Sequence, residues 1–139
     1  MAATSREVVE QILHASREQD TETFVNLFAA DGYIEWPYRP AGIPARVEGR
    51  DQIREFLTAQ ANGLVTFDEY RNTVIHETTD PEVVIVEYEA HGTVIPTGAP
   101  LHQTIIAVFL LIRNGLVVAY RDYLNPLVLA ETLASVGNV

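Results

Sequence analysis

The chain has 139 residues, the length of one domain with a hydrophobic core of its own, and we predict a single domain over residues 1–139. Hydrophobic residues make up 47% and charged residues 20%, which is typical of a globular protein rather than a disordered one. Nineteen acidic residues against nine Arg give a net charge of −10, which would repel nucleic acids and anionic membranes. With no Cys, disulfides, thiolate metal sites and a cysteine nucleophile are excluded.

The N-terminal segment predicts a helix. Thr4 and Glu7 have the spacing of a capping box, and apolar residues at helical intervals follow over residues 5–18. The segment has no apolar core of a secretory signal, and no stretch approaches the roughly 18 apolar residues of a membrane span. We therefore expect a cytoplasmic protein.

Two more helices and a short strand are predicted next. Asp20 is placed to cap a second helix that ends near Ala30, and residues 33–36 alternate as a strand does. Three prolines then predict an irregular loop over 37–48, followed by a third helix over 51–61.

The second half of the chain predicts mostly strands. Strands are expected over 65–78, 82–95, 100–113 and 116–124, joined by turn sequences, with a last helix over 126–135. Helices followed by consecutive antiparallel strands predict an α+β fold in which the helices cover one face of a curved sheet.

Three phrases of this sequence resemble the nuclear transport factor 2-like superfamily. They are 28–31 (FAAD), 49–53 (GRDQI) and 120–125 (YRDYLN), and the resemblance extends over nearly the whole chain. It implies a cone-shaped antiparallel sheet wrapped around three N-terminal helices and a deep pocket. It also implies a homodimer formed through the outer sheet face, and no cofactor. Ketosteroid isomerases, SnoaL-like polyketide cyclases, limonene-1,2-epoxide hydrolases and phenazine-biosynthesis A/B proteins share this scaffold.

A residue-by-residue comparison with the individual families of this superfamily indicates Asp122 as a candidate catalytic residue. The epoxide hydrolases are similar at Tyr33 and Asp122, which fall on their active-site Tyr and Asp, but Tyr88 and Ala90 replace their Arg and second Asp. In the phenazine proteins, the residue at position 122 is a Glu that acts as general acid/base. The ketosteroid isomerase base corresponds to Trp36 here, so the resemblance does not imply steroid isomerisation by that mechanism.

Asp122 is the candidate catalytic acid/base. It shares a strand face with Val118 and Tyr120, and a carboxyl on an apolar pocket wall has a raised pKa that suits proton transfer near neutrality. The alternative is a structural carboxylate paired with a cation such as Arg121.

Tyr88 and Gln103 are candidate hydrogen-bonding partners of a substrate. Tyr88 lies on the apolar face of its strand, so a buried phenol there needs a partner such as a substrate oxygen or Asp122. Gln103 interrupts a face predicted to include Leu101, Ile105 and Ala107. The Gln103 amide could orient a substrate carbonyl or form a hydrogen bond with a backbone group. The alternative for Tyr88 is an ordinary core residue with no role in binding.

Only one of Glu35 and Trp36 can face the pocket, because successive strand residues point to opposite faces. We favour Trp36 as part of the pocket wall. Tyr33 lies on the same strand face as Glu35, so Tyr33 faces the pocket only if Glu35 does. The predicted substrate-binding residues are Tyr33, Glu35, Trp36, Phe56, Gln103, Ile105 and Tyr120.

The four His residues show no close pair at metal-binding spacing, so no metal site is predicted. His91 and His102 are expected on the outer sheet face together with Glu87 and Glu89.

The sequence thus favours a cofactor-independent acid/base enzyme, with Asp122 and Tyr88 as catalytic residues. The resemblance implies isomerisation, cyclisation or hydrolysis of a small hydrophobic substrate in secondary metabolism. With one candidate carboxylate and no second base, we favour an isomerase or cyclase over a hydrolase. An epoxide hydrolase-like enzyme, and a non-catalytic domain that binds a small ligand or dimerises, remain open alternatives.

Overall fold

The computed structural model describes residues 3–39, 42–61 and 63–137, without the side chains of residues 60, 61, 104 and 105. Four helices and six strands follow one another along this part of the chain. In order they are α1 (Ser5–Arg17), α2 (Thr21–Asn26), β1 (Phe28–Glu35), β2 (Arg46–Glu48), α3 (Arg50–Ala61), β3 (Val65–Glu77), β4 (Val83–Val94), β5 (Pro100–Arg113), β6 (Leu116–Tyr123) and α4 (Pro126–Gly137).

The strands form one sheet in the order β2-β1-β6-β5-β4-β3. All neighbouring pairs are antiparallel except β1 and β6, which run parallel. The curved sheet carries α1 against β3, β4 and β5, and α3 against β1, so the predicted α+β architecture is confirmed. The parallel pair was not predicted, because pairing between distant segments leaves no local pattern in a sequence.

The first two helices begin where the sequence predicts. The Thr4 hydroxyl accepts from the Glu7 amide at 3.2 Å, and the Glu7 carboxylate accepts from the Thr4 amide at 3.1 Å, which completes the capping box. The Asp20 carboxylate accepts from the Thr23 amide at 3.2 Å and caps α2. These caps satisfy amides that would otherwise have no partner in the first turn of each helix.

The largest differences from the prediction lie on either side of β1. The second helix ends at Asn26 rather than near Ala30, because Phe28 already pairs with Val117 of β6 and the strand pairing overrides the local helical pattern. The predicted loop over 37–48 contains β2, whose Arg46 pairs with Glu35 of β1. In both places, contacts made far along the chain decide the local conformation.

A β-bulge in β5 determines which of its residues face the helices. Tyr88 pairs with Ile106 and Ala90 pairs with Gln103, so β5 contains one residue more than β4 over this span. Gln103 and Ile106 therefore share the inner face. The prediction that Gln103, Ile105 and Ala107 share that face was wrong for Ala107, which pairs with Glu87 beyond the bulge. The side chain of Ile105 lies outside the described residues.

The core lies between the helices and the inner face of the sheet. Val8, Val9 and Ile12 of α1 are fully or almost fully buried, as are Phe28 of β1 and Leu110 of β5. Among the residues that the structure describes, no helix is long and apolar enough to cross a membrane.

Candidate functional site

A cavity of about 290 Å³ opens between the inner face of the sheet and the helices. Its wall is formed by α1, α2, α3 and α4 and by inward residues of β1, β3, β4, β5 and β6. Most of this wall is apolar, with Asp122 and several tyrosines among its few polar groups. An apolar cavity with a few convergent polar groups is the usual form of a small-molecule site.

Asp122 lies at the cavity near the end of β6, where it pairs with Val108 of β5. The cavity reaches part of the residue, but its Oδ1 atom is enclosed and has no hydrogen-bond partner among the described residues. Burial raises the pKa of Asp122 to about 7, and hydrogen bonding by the Trp36 side chain acts in the opposite direction. A carboxyl with this pKa can both accept and release a proton near neutral pH.

Three tyrosines from three strands lie beside this carboxyl. Tyr88 of β4 and Tyr120 of β6 are both buried, and both line the cavity. Burial raises the pKa of both phenols well above the usual value, and the nearby Asp122 charge adds to that increase. Both remain protonated at neutral pH, so the Tyr120 hydroxyl keeps a proton that it can donate.

Tyr70 of β3 is a cavity residue that the sequence interpretation missed. Its ring centroid lies 4.6 Å from that of Tyr88, and its hydroxyl hydrogen-bonds the Ser16 hydroxyl at 2.6 Å. Burial raises the pKa of Tyr70, and the hydrogen bond with Ser16 lowers it. Ser16, a polar residue at an apolar position of the first helix, was the one feature of the sequence that could have indicated such a partner.

Trp36 and Phe56 form an aromatic wall. Trp36 is buried at the end of β1, and its ring centroid lies 4.7 Å from that of Phe56 on α3. Both line the cavity together with Tyr120. Pairs of rings at this distance are held by dispersion and by the attraction of ring edges to ring faces.

Gln103 lines the cavity, but its amide is occupied. Its Nε2 donates to the Asn125 carbonyl at 3.3 Å, and its Oε1 accepts from the Asn125 amide at 3.4 Å. Gln103 therefore binds a backbone segment, which is one of the two roles that the sequence left open for it. The side chain holds the segment between β6 and α4 against β5, which places Leu124 and Leu129 at the cavity.

Glu35 and Tyr33 lie outside the cavity, which corrects the prediction that they contact a substrate. Both side chains point to the opposite face of β1 from Trp36, as strand alternation requires. Arg46 of β2 lies between them. Its guanidinium carbon is 3.5 Å from the centroid of the Tyr33 ring, and its Nη1 is 4.0 Å from a Glu35 carboxylate oxygen.

A second cleft, of about 600 Å³, lies near the N-terminus of α1 and the turn between β3 and β4. It is lined by polar residues such as Thr4, Ser5 and Asp80, and Ser5 already donates to the Pro81 carbonyl at 2.7 Å. Glu77 and Asp80, which line this cleft, are exposed, and Glu82 is paired with Arg113 at 3.2 Å, so the smaller cavity around Asp122 is the better candidate site.

The chain is similar to known proteins along most of its length. The SnoaL-like domain family matches residues 9–120. The protein YesE of Bacillus subtilis, which is uncharacterized, is 33% identical over 114 residues, or 82% of this chain and 76% of that protein. An uncharacterized PhzA/B-like protein of Pseudomonas aeruginosa is 31% identical over 132 residues, covering 95% and 92%.

A solved structure agrees with this relationship. The crystal structure of a candidate isomerase from Bacillus subtilis superposes with a TM-score of 0.85 at 28% identity, covering 94% of this chain and 92% of that one. The match by family and the two relatives above 30% identity agree with the resemblance noted in the sequence. The chain belongs to the SnoaL-like domain family of the nuclear transport factor 2-like superfamily.

Proposed function

We propose that the protein is an acid/base enzyme, an isomerase or cyclase, that acts on a small hydrophobic carbonyl compound. One observation carries the proposal: the Oδ1 atom of Asp122 is buried at an apolar cavity, with no hydrogen-bond partner among the described residues. A buried polar atom without a partner is uncommon in folded proteins and calls for an explanation. Asp122 lines the cavity, so a rotation of its carboxyl group would bring this atom to a substrate proton.

The chemistry follows from the two kinds of polar group at the cavity. The ionised Asp122 takes a proton from the carbon next to the substrate carbonyl, and the electron pair of that C–H bond passes to the carbonyl oxygen. The Tyr120 hydroxyl, which stays protonated at the cavity wall, donates a hydrogen bond to the enolate oxygen. Asp122 then returns the proton to another carbon in an isomerase. In a cyclase, the enolate carbon attacks a second carbonyl of the same molecule, and Asp122 protonates the new alkoxide.

Cavity size and charge limit the substrate. A volume of about 290 Å³ lies at the small end of ligand pockets, which run from roughly 300 to 1,000 Å³, so a compact one- or two-ring molecule fits. The apolar wall and the acidic group at position 122 favour a neutral molecule over an anion.

An isomerase or cyclase fits better than an epoxide hydrolase. Hydrolysis also requires a water molecule held by a second polar group. Gln103 is bonded to Asn125, and Glu35 lies on the other face of β1, so neither is free to hold that water.

Proton abstraction can be tested with 2-tetralone, a two-ring apolar ketone with acidic protons next to its carbonyl. In D2O near pD 8, we expect the protein to accelerate deuterium exchange at these carbons, followed by NMR. In the Asp122→Asn variant, we expect this exchange to be about 10²–10⁴-fold slower. Glu35→Gln is the matched control, because it removes a carboxylate outside the cavity and should keep the rate.

Two outcomes would contradict the proposal. If Asp122→Asn exchanged as fast as the wild type, Asp122 would not be the base. If the wild type bound 2-tetralone without accelerating exchange, the cavity would be that of a ligand-binding domain, which is the alternative that its apolar wall also supports.

A further inference from the structure

We propose that Glu89, His91 and His102 form a binding site for a divalent transition-metal cation, with Zn²⁺ as its probe, on the outer face of the sheet. The nitrogen and oxygen atoms that these three side chains can offer to a metal all lie within 4.8 Å of one another. Two His and one carboxylate are a common ligand set for zinc and other first-row divalent cations. The site is separate from the cavity, because strand alternation directs Glu89 and His91 away from Tyr88.

Strand pairing brings the three ligands together. His91 of β4 lies directly opposite His102 of β5, and Glu89 is two residues before His91 on the same face. The two imidazole rings are stacked, with centroids 4.2 Å apart. The sequence showed no metal spacing because the two His residues are eleven positions apart and only the β4–β5 register makes them neighbours.

The distances suit a tetrahedral ion after small side-chain rotations. A Glu89 carboxylate oxygen is 2.9 Å from the His102 Nε2 atom and 3.7 Å from the His91 Nε2 atom. In a tetrahedral site with metal bonds of about 2.0–2.1 Å, ligand atoms lie about 3.3 Å apart, a value between these two distances. Three protein ligands leave the fourth position to water or to another ligand.

The His91 Nε2 atom gives independent support. It is buried and has no hydrogen-bond partner among the described residues, because its distance to Glu89 exceeds that of a hydrogen bond. A metal ion between His91, Glu89 and His102 would satisfy this nitrogen. His102 is 47% exposed, so a hydrated ion has a path to the site from solvent.

Neighbouring residues orient the Glu89 carboxylate as a metal ligand. Asn72 has a positive φ of 53° at an irregularity of β3, and its amide donates to the second oxygen of Glu89. Partners of this kind orient ligands in metal sites. The nearby cation Arg71 is paired with Glu69 at 2.9 Å, which offsets its repulsion of a metal ion.

The test is a Zn²⁺ titration of the untagged protein in competition with a chromogenic chelator. We expect one ion per chain, and an affinity at least tenfold weaker in His102→Ala and in His91→Ala. His76→Ala is the matched control. His76 lies on the same face and contacts Glu87 at 2.6 Å, but it has no second His beside it, so its loss should change the affinity less than twofold.

Circular dichroism of each variant shows whether it is folded, and the exposed His102 is the position where substitution disturbs the sheet least. The proposal is overturned if the wild type does not compete for Zn²⁺, or if a folded His102→Ala binds within twofold of the wild type. It is also overturned if His76→Ala weakens binding as much as His102→Ala does. None of these outcomes depends on activity at Asp122, because the readout is metal binding alone.

Discussion

The Ser16 and Tyr70 hydroxyls are hydrogen-bonded at 2.6 Å, and this contact joins α1 to β3 at the cavity wall. The Tyr70 ring in turn packs on Tyr88, which lines the cavity together with Tyr120 and Asp122. The first helix therefore helps to fix the position of the phenols beside Asp122, although Ser16 itself is distant from them in sequence.

Removing either hydroxyl of this pair should cost a similar amount of stability. We expect Tyr70→Phe and Ser16→Ala each to lower the free energy of unfolding by about 1 kcal/mol, because each leaves its partner without a hydrogen bond. The double variant should lose less than the sum of the two. Urea denaturation of the four proteins measures this coupling, and strictly additive losses would show that the bond contributes nothing.

The raised pKa of Asp122 makes stability depend on pH. The folded state holds the Asp122 proton up to about pH 7, whereas an unfolded Asp releases it near 3.8, so the folded state binds more protons between these values. The Asp122 contribution to stability is therefore lost as pH rises through this window. At pH 8 the cost of ionising the buried group is roughly 4 kcal/mol.

Asp122→Asn removes this titration and keeps the shape of the side chain. Relative to the wild type, we expect this variant to become more stable by a few kcal/mol between pH 4 and pH 8. Chemical denaturation of both proteins at several pH values measures the difference, and the other carboxyls cancel in the comparison. A difference in stability that does not change with pH would mean that Asp122 has an ordinary pKa.

Trp36 and Glu35 are adjacent in sequence but should respond very differently to substitution. Trp36→Ala empties part of the aromatic wall beside Phe56 and should cost about 3–5 kcal/mol, together with affinity for 2-tetralone. Glu35→Ala removes only an exposed ion pair with Arg46 and should cost less than about 1 kcal/mol. Thermal denaturation and a ligand titration compare the two, and equal losses would contradict the assignment of their faces.

Gln103 should prove to be a positioning residue. Gln103→Leu should cost about 1 kcal/mol, because the half-buried Asn125 amide loses its partner, whereas the Asn125 carbonyl keeps the Leu129 amide at 3.4 Å. Hydrogen exchange at the Asn125 amide should accelerate in this variant, while exchange in α1 should not change. Unaltered protection at Asn125 would show that the Gln103 side chain does not hold this segment.

Local patterns in the sequence were sufficient for most of the elements. The capping residues Thr4 and Asp20 begin α1 and α2 as predicted, and the turn at residues 114–115 separates β5 from β6. Such features can be read from a sequence because caps and tight turns depend on residues only a few positions apart. Alternation likewise required that only one of Trp36 and Glu35 face the cavity, but it did not decide which of the two does so.

The sequence by itself thus determined the α+β class and the order of the helices and strands except for β2, whereas it offered Asp122, Tyr88 and Trp36 as pocket residues with the help of the family resemblance. Only the tertiary structure decided the parallel pairing of β1 with β6, the bulge that moves Ile106 inward, and the meeting of His91 with His102. It also decided that Gln103 is bound by Asn125 and that Tyr70 reaches Ser16. These features depend on strand register and on contacts between distant segments, and a shift of one residue in register reverses the face of every side chain in a strand.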